Sequence, residues 1–355
     1  MAISALQAKG EFTKLLIDVF QERPQTTSFL RSFFPNKNAP TKYVSVEVER
    51  MGERVAVDVV RGTEGNRNTF SKSSEKIYQP PFFNEFFDAT ELDLYDRVLG
   101  AQGTDNSRLF AALLNEVDDK LSVLKDKIER AKEKQCAEAL TSGIVTMQNG
   151  DSIDFKRKAA SLKDDSGETW ATGSNDPFKH FKAACEFIRT KGRVGEVEFN
   201  AILGSSALDN LLKNTTFLGR QDLVNMKLDA VSVPAVNQSG AAYHGTITAG
   251  SYRVNLWTYP QFYDVVNGGT VTSTPYLDDK KVIVLPSKPR FVYAHAAVPR
   301  LLNLNGQSVQ DLRQGAYVPY EYKDERNTTH NFGIKSAGVP LLVGIDQVYT
   351  MKVIA

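Results

Sequence analysis

From Asp105 to Ser142 the chain contains neither glycine nor proline, and Gly143 closes the run. Within it Leu114, Val117, Leu121, Leu124, Ile128 and Ala131 recur at alternating steps of three and four, the spacing of one apolar helix face. At 1.5 Å per residue a helix over 105–142 is roughly 55 Å long. The pattern fades after about three heptads, too few for a dimeric coiled coil, so the helix reads as a spine packed on a sheet. Asp105 supplies a start cap and Gly143 a stop. Glu116–Lys120 and Asp126–Arg130 form i,i+4 pairs on the solvated side.

Strand patterns flank this helix. Residues 42–60 alternate, with Val44, Val46 and Val48 on one face, Arg50–Met51–Gly52–Glu53 as a turn, and Val55, Val57 and Val59 beyond it. That is a β-hairpin pattern. The polar stretch that follows, RGTEGNRNTFSKSSEKIYQPP, is an excursion from the body. It is either a surface loop or an arm that orders on a neighbouring subunit. Aromatics resume at Phe82, Phe83, Phe86 and Phe87. Upstream, residues 1–23 form an amphipathic helix whose apolar residues are interrupted by Lys14 and Asp18, which is no signal peptide. Pro24 ends it, and Thr27 caps SFLRSFFP, whose Phe29, Leu30, Phe33 and Phe34 read as a core anchor.

Downstream, residues 149–176 are polar and turn-rich, a long loop or an irregular edge. Pro177 opens a helix capped by Asn175 or Asp176, with Phe178, Phe181, Ala184, Cys185 and Ile188 on its apolar side and Gly192 at its end. A strand Val197–Leu203 and a helix Ser205–Lys213 follow. The remainder is strand-rich: Tyr252–Thr258, Lys281–Leu285, Arg290–Ala296, Tyr317–Lys323 and Thr329–Lys335. Pro340–Ile354 is too apolar to be a loose tail. The chain is therefore α+β, and 355 residues make two or three packed lobes.

No catalytic constellation accompanies these elements. His180, His244, His295 and His330 lack a second metal-type ligand at short spacing. His180 reads as a surface residue, and His295 as a strand residue satisfied by backbone groups. The Thr190–Gly195 stretch ends a helix, whereas a phosphate needs a helix start. Asp278–Asp279 adjoins Lys280 and Lys281 and reads as a turn between strands, because adjacent carboxylates cannot converge on one substrate as glycosidase acids do. Lys132–Lys134 and Lys156–Arg157–Lys158 read as solvated faces. Trp257, Tyr259, Phe262 and Tyr263 suit a packing corner better than base stacking. No catalytic, cofactor or metal residue is assigned. A hydrolase using Asp264 or Asp278 beside Trp257 and Tyr259 is the alternative from another class.

Charge and cysteine content narrow the partners. The 43 basic and 42 acidic residues nearly cancel, which excludes nucleic acid phosphate as the main partner. Cys136 and Cys185 cannot build a disulfide framework and read as buried apolar residues of a reducing compartment. No run approaches the roughly 18 apolar residues of a membrane helix, so a soluble, cytoplasmic chain is expected.

Several segments, in order along nearly the whole chain, resemble the lambda-type major capsid proteins of tailed phages, a branch of the Hong Kong 97-like capsid fold. SFLRSFFP at 28–35 resembles that family's early segment, and hairpin 42–60 with the stretch to QPPFF resembles its extended loop. Most specific is Tyr252–Pro286, where V-x-L-W-T-Y-P-Q-F-Y-D, a Gly turn and P-Y-L-D-D-K-K-V-I-V-L-P resemble the family's strand, excursion and return. FGIKSAGVPLLVGIDQVYTMKV resembles its closing strand. The resemblance implies an N-terminal arm (1–35), an extended loop (36–90) and a peripheral domain (91–176) carrying the spine. An axial domain (177–320) and C-terminal strands returning to the peripheral domain (321–355) follow. It implies a non-enzymatic subunit that self-assembles into hexamers and pentamers around a phage genome, with a procapsid that expands as DNA enters. The implied partners are other copies, separate scaffold and portal proteins, a decoration protein, and weakly held double-stranded DNA. The expected location is the virion capsid, built in the host cytoplasm. A protein nanocompartment shell of the encapsulin kind is the alternative within the same fold.

Overall fold

The computed structural model describes residues 26–48, 74–90, 106–147, 151–173, 175–221, 240–267, 269–304, 307–324 and 329–355. The Gly- and Pro-free run is a single helix, α1 (Asn106–Thr141). Its expected Asp105 cap lies outside the described residues. Gly143 ends it as expected: at φ +76 it occupies the left-handed region, and its N–H reaches back to Glu138 O at 3.2 Å. Val117 and Ile128 are buried, and the covered face widens over Cys136, Ala137, Ala139 and Leu140.

The expectation of a solvated face over Lys132–Lys134 fails. Lys132 and Glu133 are both 0% exposed, because the helix is covered on two sides. Leu30 and Arg31 lie against Glu133, and Ala316 and Tyr317 lie against Lys132.

α1 packs on a five-stranded sheet, as a spine should. Its strands run β1 (Asn36–Asn38), β14 (Val292–His295), β18 (Thr329–Leu341) and β17 (Val318–Asp324), with β4 (Phe82–Thr90) also on β18. β18 continues past the expected Lys335 because it serves two partners in turn. It pairs with β4 over Thr329–Ala337 and with β14 over Gly338–Leu341.

A second sheet has six strands in the order β7 (Leu162–Asp164), β19 (Tyr349–Lys352), β13 (Lys281–Pro286), β8 (Glu198–Leu203), β10 (Tyr252–Thr258) and β9 (Ala242–Ala249). Val282, Val284, Phe199, Ala201 and Leu203 enter one core, with residues of α2 (Pro177–Lys191), α3 (Ser205–Lys213) and α4 (Thr215–Gln221). Ile283, Leu285 and Ile202 alternate into the other, shared with α1. Burial on both faces is why Val282–Leu285 is an unbroken apolar run. α2 starts as its sequence dictates: Asp176 accepts the Phe178 N–H at 3.0 Å, and Pro177 fills the first turn.

The described residues 151–173 and 175–176 form an irregular edge pinned from within. β5 (Ile144–Thr146) and β6 (Ser152–Asp154) make a hairpin, β7 extends the six-stranded sheet, and Trp170 is fully buried. β7 and β19, from 91–176 and 321–355, join the six-stranded sheet, while β14, within 177–320, joins the five-stranded one.

Three further ribbons complete the described strands: β2 (Val44–Val48) with β3 (Ser74–Tyr78), β11 (Phe262–Asn267) with β12 (Thr270–Pro275), and β15 (Val298–Leu304) with β16 (Gln307–Arg313). The expected partner of β2, Val55–Val59, lies outside the described residues. The partner that is described, β3, comes from the end of the polar excursion, so that stretch carries a strand where none is expected.

Candidate assembly surface

Aromatic side chains dock the N-terminal segment. Phe29 meets Phe33, Trp257 and Tyr259 at centroid distances of 5.5, 5.5 and 5.6 Å, and Phe34 stacks on Phe291 at 5.1 Å. The Thr27 and Tyr259 hydroxyls are 2.7 Å apart. Core anchor and packing corner are thus two halves of one contact. A short 3-10 helix, Leu30–Phe33, carries the segment onto α1.

Tyr78, at the end of β3, lies with its ring 5.7 Å from that of Phe155. Beside it, β3, β4, α1 and the β5–β6 hairpin enclose a groove of 1210 Å³. Its rims expose Ile77 (66%) and Phe82 (52%) to water. Its walls are fixed by polar contacts: Glu138 accepts from the N–H and hydroxyl of Thr146, both at 2.9 Å, and Lys127 pairs with Glu85 at 2.6 Å. The β11–β12 ribbon is half anchored. Tyr263 packs on Tyr276 at 4.9 Å, while Phe262 and the facing pair Val266 and Val271 are exposed.

The residues weighed for chemistry are tied up locally. Asp264 accepts from Ser273 across the ribbon, and Asp278 takes the Lys280 N–H at 3.0 Å within its turn. Each carboxylate is thus held within its own ribbon or turn. His180 is buried, not a surface residue. Its Nδ1 accepts from Trp170 Nε1 at 2.8 Å, which leaves Nε2 to donate to Glu168 at 3.3 Å. His244 meets the Thr258 hydroxyl at 2.7 Å, and His330 falls in β18. Burial pushes the thiols of Cys136 and Cys185 up, which suits small apolar residues. Among the described residues no group of three His, Cys, Asp or Glu is placed to hold a metal. No helix among them is long and apolar enough to cross a membrane.

Arg157 is also not part of a solvated run. Its guanidinium lies inside, donating to Leu140 O at 2.7 Å, Ser161 O at 3.0 Å and Val348 O at 3.2 Å. His295 sits in a strand as expected, but its bonded ring nitrogen meets a side chain, not the backbone: Nε2 donates to Asn36 Oδ1 at 3.2 Å, while Nδ1 is buried without a partner. Burial first, then the Lys132 and Arg31 charges, press its pKa down to about 3. An unfolded histidine near 6.5 binds a proton that the folded one refuses, so this group withdraws stability as pH falls from about 6.5 towards 3. Melting temperature between pH 6.5 and 4 should therefore fall more steeply in the wild type than in His295→Gln. Parallel curves would show that the ring is not the acid-sensitive group.

A family model described as phage major capsid protein E matches residues 12–353. No curated protein matches the chain. Among solved structures, the fold is similar to that of a protein of E. coli CFT073 described as a prophage capsid protein. That match has a TM-score of 0.59 and 14% identity, covering 93% of this chain and 94% of the other. The capsid protein of cyanophage P-SCSP1u aligns with TM-score 0.49 and 9% identity over 95% and 91% of the two chains. A phage-related protein of Bordetella bronchiseptica RB50 aligns at 0.47 and 13% over 93% of each.

Proposed function

Because the chain belongs to the phage major capsid protein E family, we propose that its copies form hexamers and pentamers that close into the icosahedral shell of a tailed phage. It is a major capsid protein with the Hong Kong 97-like α+β fold, and not an enzyme. The family match across 12–353 carries this reading. On the side of the subunit, the exposed apolar residues of β3, β4 and β11 are what repeated contacts between copies require. A net charge of +1 lets many copies pack without mutual repulsion.

In this reading, α1 with the five-stranded sheet is the peripheral lobe, and the six-stranded sheet with α2, α3 and α4 is the axial lobe. The N-terminal arm ahead of its docked residues 27–34, and the loop beyond β2 and β3, reach neighbouring subunits. The shell assembles in the host cytoplasm with a separate scaffold and a portal, takes a decoration protein, touches DNA weakly, and expands from a procapsid by changing the angle of spine and loop. The family match is to phage capsid proteins, which favours this over a protein nanocompartment.

Negative-stain electron microscopy tests it: the full chain should give uniform shells. Deleting residues 62–73, which spares β2 and β3, should leave a subunit with unchanged circular dichroism that forms none. Normal shells from the deletion overturn the role given to the loop. Only monodisperse monomers from the full chain count against self-assembly.

A further inference from the structure

Glu133 is a charge in an unusual place. Its side chain is 0% exposed, and the cation whose charge reaches it, Arg31, makes its ion pair with Glu129. Instead, Oε1 accepts the Leu30 N–H at 2.8 Å and Oε2 the Arg31 N–H at 2.9 Å, the first turn of the 3-10 helix that docks the N-terminal segment. The nearby cations are engaged elsewhere. Arg31 donates to Asn36 Oδ1 at 2.5 Å and Glu129 at 3.4 Å and lies over the Tyr293 ring at 4.2 Å. Lys132 reaches Glu129 at 3.4 Å, Ala316 O at 3.3 Å and the Tyr317 ring at 3.8 Å. A fully buried carboxylate without a cation of its own is costly, and the usual relief is to take up a proton.

We propose that Glu133 is a proton-operated latch for the N-terminal segment, neutral while residues 27–34 are docked on α1 and ionised when they lift away. Docking is what removes water from the carboxyl. Lifting the segment exposes it, and the proton leaves to solvent at neutral pH. Burial pushes the Glu133 carboxyl up to about 7, against the lowering effect of the Leu30, Tyr259 and Arg31 contacts. A raised carboxyl makes docking tightest at low pH and weakens it as pH rises through about 7.

The titratable groups facing the carboxyl do not reproduce this signature. Tyr259 and Tyr276, from the corner and the turn opposite, are pushed up by burial and stay neutral, as does Cys136 on α1. Lys132 is brought down to about 8 by burial, which strengthens docking as pH climbs above that value, the opposite sign. His295, beside Lys132 and Arg31, also acts with opposite sign, on the acid side. All of these are retained in Glu133→Gln, so the ratio between wild type and variant isolates Glu133.

The latched amides report on the latch. Hydrogen exchange of the unassembled full-length chain, corrected for intrinsic rates, gives protection factors for the Leu30 and Arg31 amides. The ratio of wild-type to Glu133→Gln protection should fall about fiftyfold between pH 5 and 7.5. A ratio constant with pH overturns the proposal, since Glu133 would then be a permanently ionised cap. Should the variant not fold, the wild type decides alone. The carboxyl carbon resonance of Glu133 should titrate near neutral pH, and a midpoint near 4.5 overturns the latch. Both measurements concern the isolated subunit, so they stand or fall separately from shell formation.

Discussion

Replacing Arg157 with methionine is expected to lower the unfolding free energy of the subunit by about 3–5 kcal/mol, because each buried acceptor left without its donor costs about 1–3 kcal/mol. The guanidinium joins three parts of the chain. Leu140 O is among the last carbonyls of α1, which have no partner within the helix, and it carries the negative end of the helix dipole. Ser161 belongs to the edge that leads into β7, while Val348 O and the Thr350 hydroxyl belong to the approach and body of β19. Burial draws the guanidinium down to about 10, still cationic at neutral pH. Methionine fills similar volume without the donors. Lysine restores the charge but not the planar fork, so Arg157→Lys should recover only part of the loss. Urea denaturation followed by circular dichroism measures both, and a loss below about 1 kcal/mol for Arg157→Met would show that water replaces the donors.

Gly204→Ala is expected to cost about 3 kcal/mol, although the backbone there (φ −68, ψ 158) suits any residue. The reason is space. A Cβ at this position would come within 2.5 Å of the Asp278 carbonyl oxygen and of the Asp279 backbone. Neither can rotate aside, since the turn is fixed by its own bonds. Gly204 N–H donates to Lys281 O at 3.0 Å, Ala207 N–H to Asp279 O at 2.9 Å and Lys281 N–H to Asp278 O at 3.0 Å. The acidic pair is therefore the lid over the start of α3. Gly195→Ala, where nothing lies within 4 Å, is the matched control and should change the urea midpoint little. Equal midpoints for the two variants would mean that the turn yields without cost.

Most elements were legible because local rules decide them. A run without Gly or Pro, the Asp176–Pro177 start of α2, and the alternation of strands facing two cores each reflect the geometry of a few consecutive residues. The buried polar set was not, although one signal was available. Lys132 lies four residues beyond Ile128 and so continues the apolar face of α1, a place where a lysine must be buried or end the face. Arg157 gave no such signal, since it stands between two lysines in a polar stretch. The same holds for Trp170 and His180, whose ring-to-ring hydrogen bond joins an irregular edge to a helix.

By itself the sequence determined the α+β composition, the spine helix with its stop at Gly143, and the docking aromatics. Periodicity and turn chemistry act within short reach, so they survive without knowledge of the rest of the fold. Only the tertiary structure decided that β14 leaves the segment around it for the other sheet, that β3 rather than a nearer strand is the described partner of β2, and that Glu133 and Lys132 face inward. Those outcomes depend on which distant segments arrive to cover a helix or extend a sheet edge. Burial of a charge is set by what lies over it, and that is a property of the whole fold.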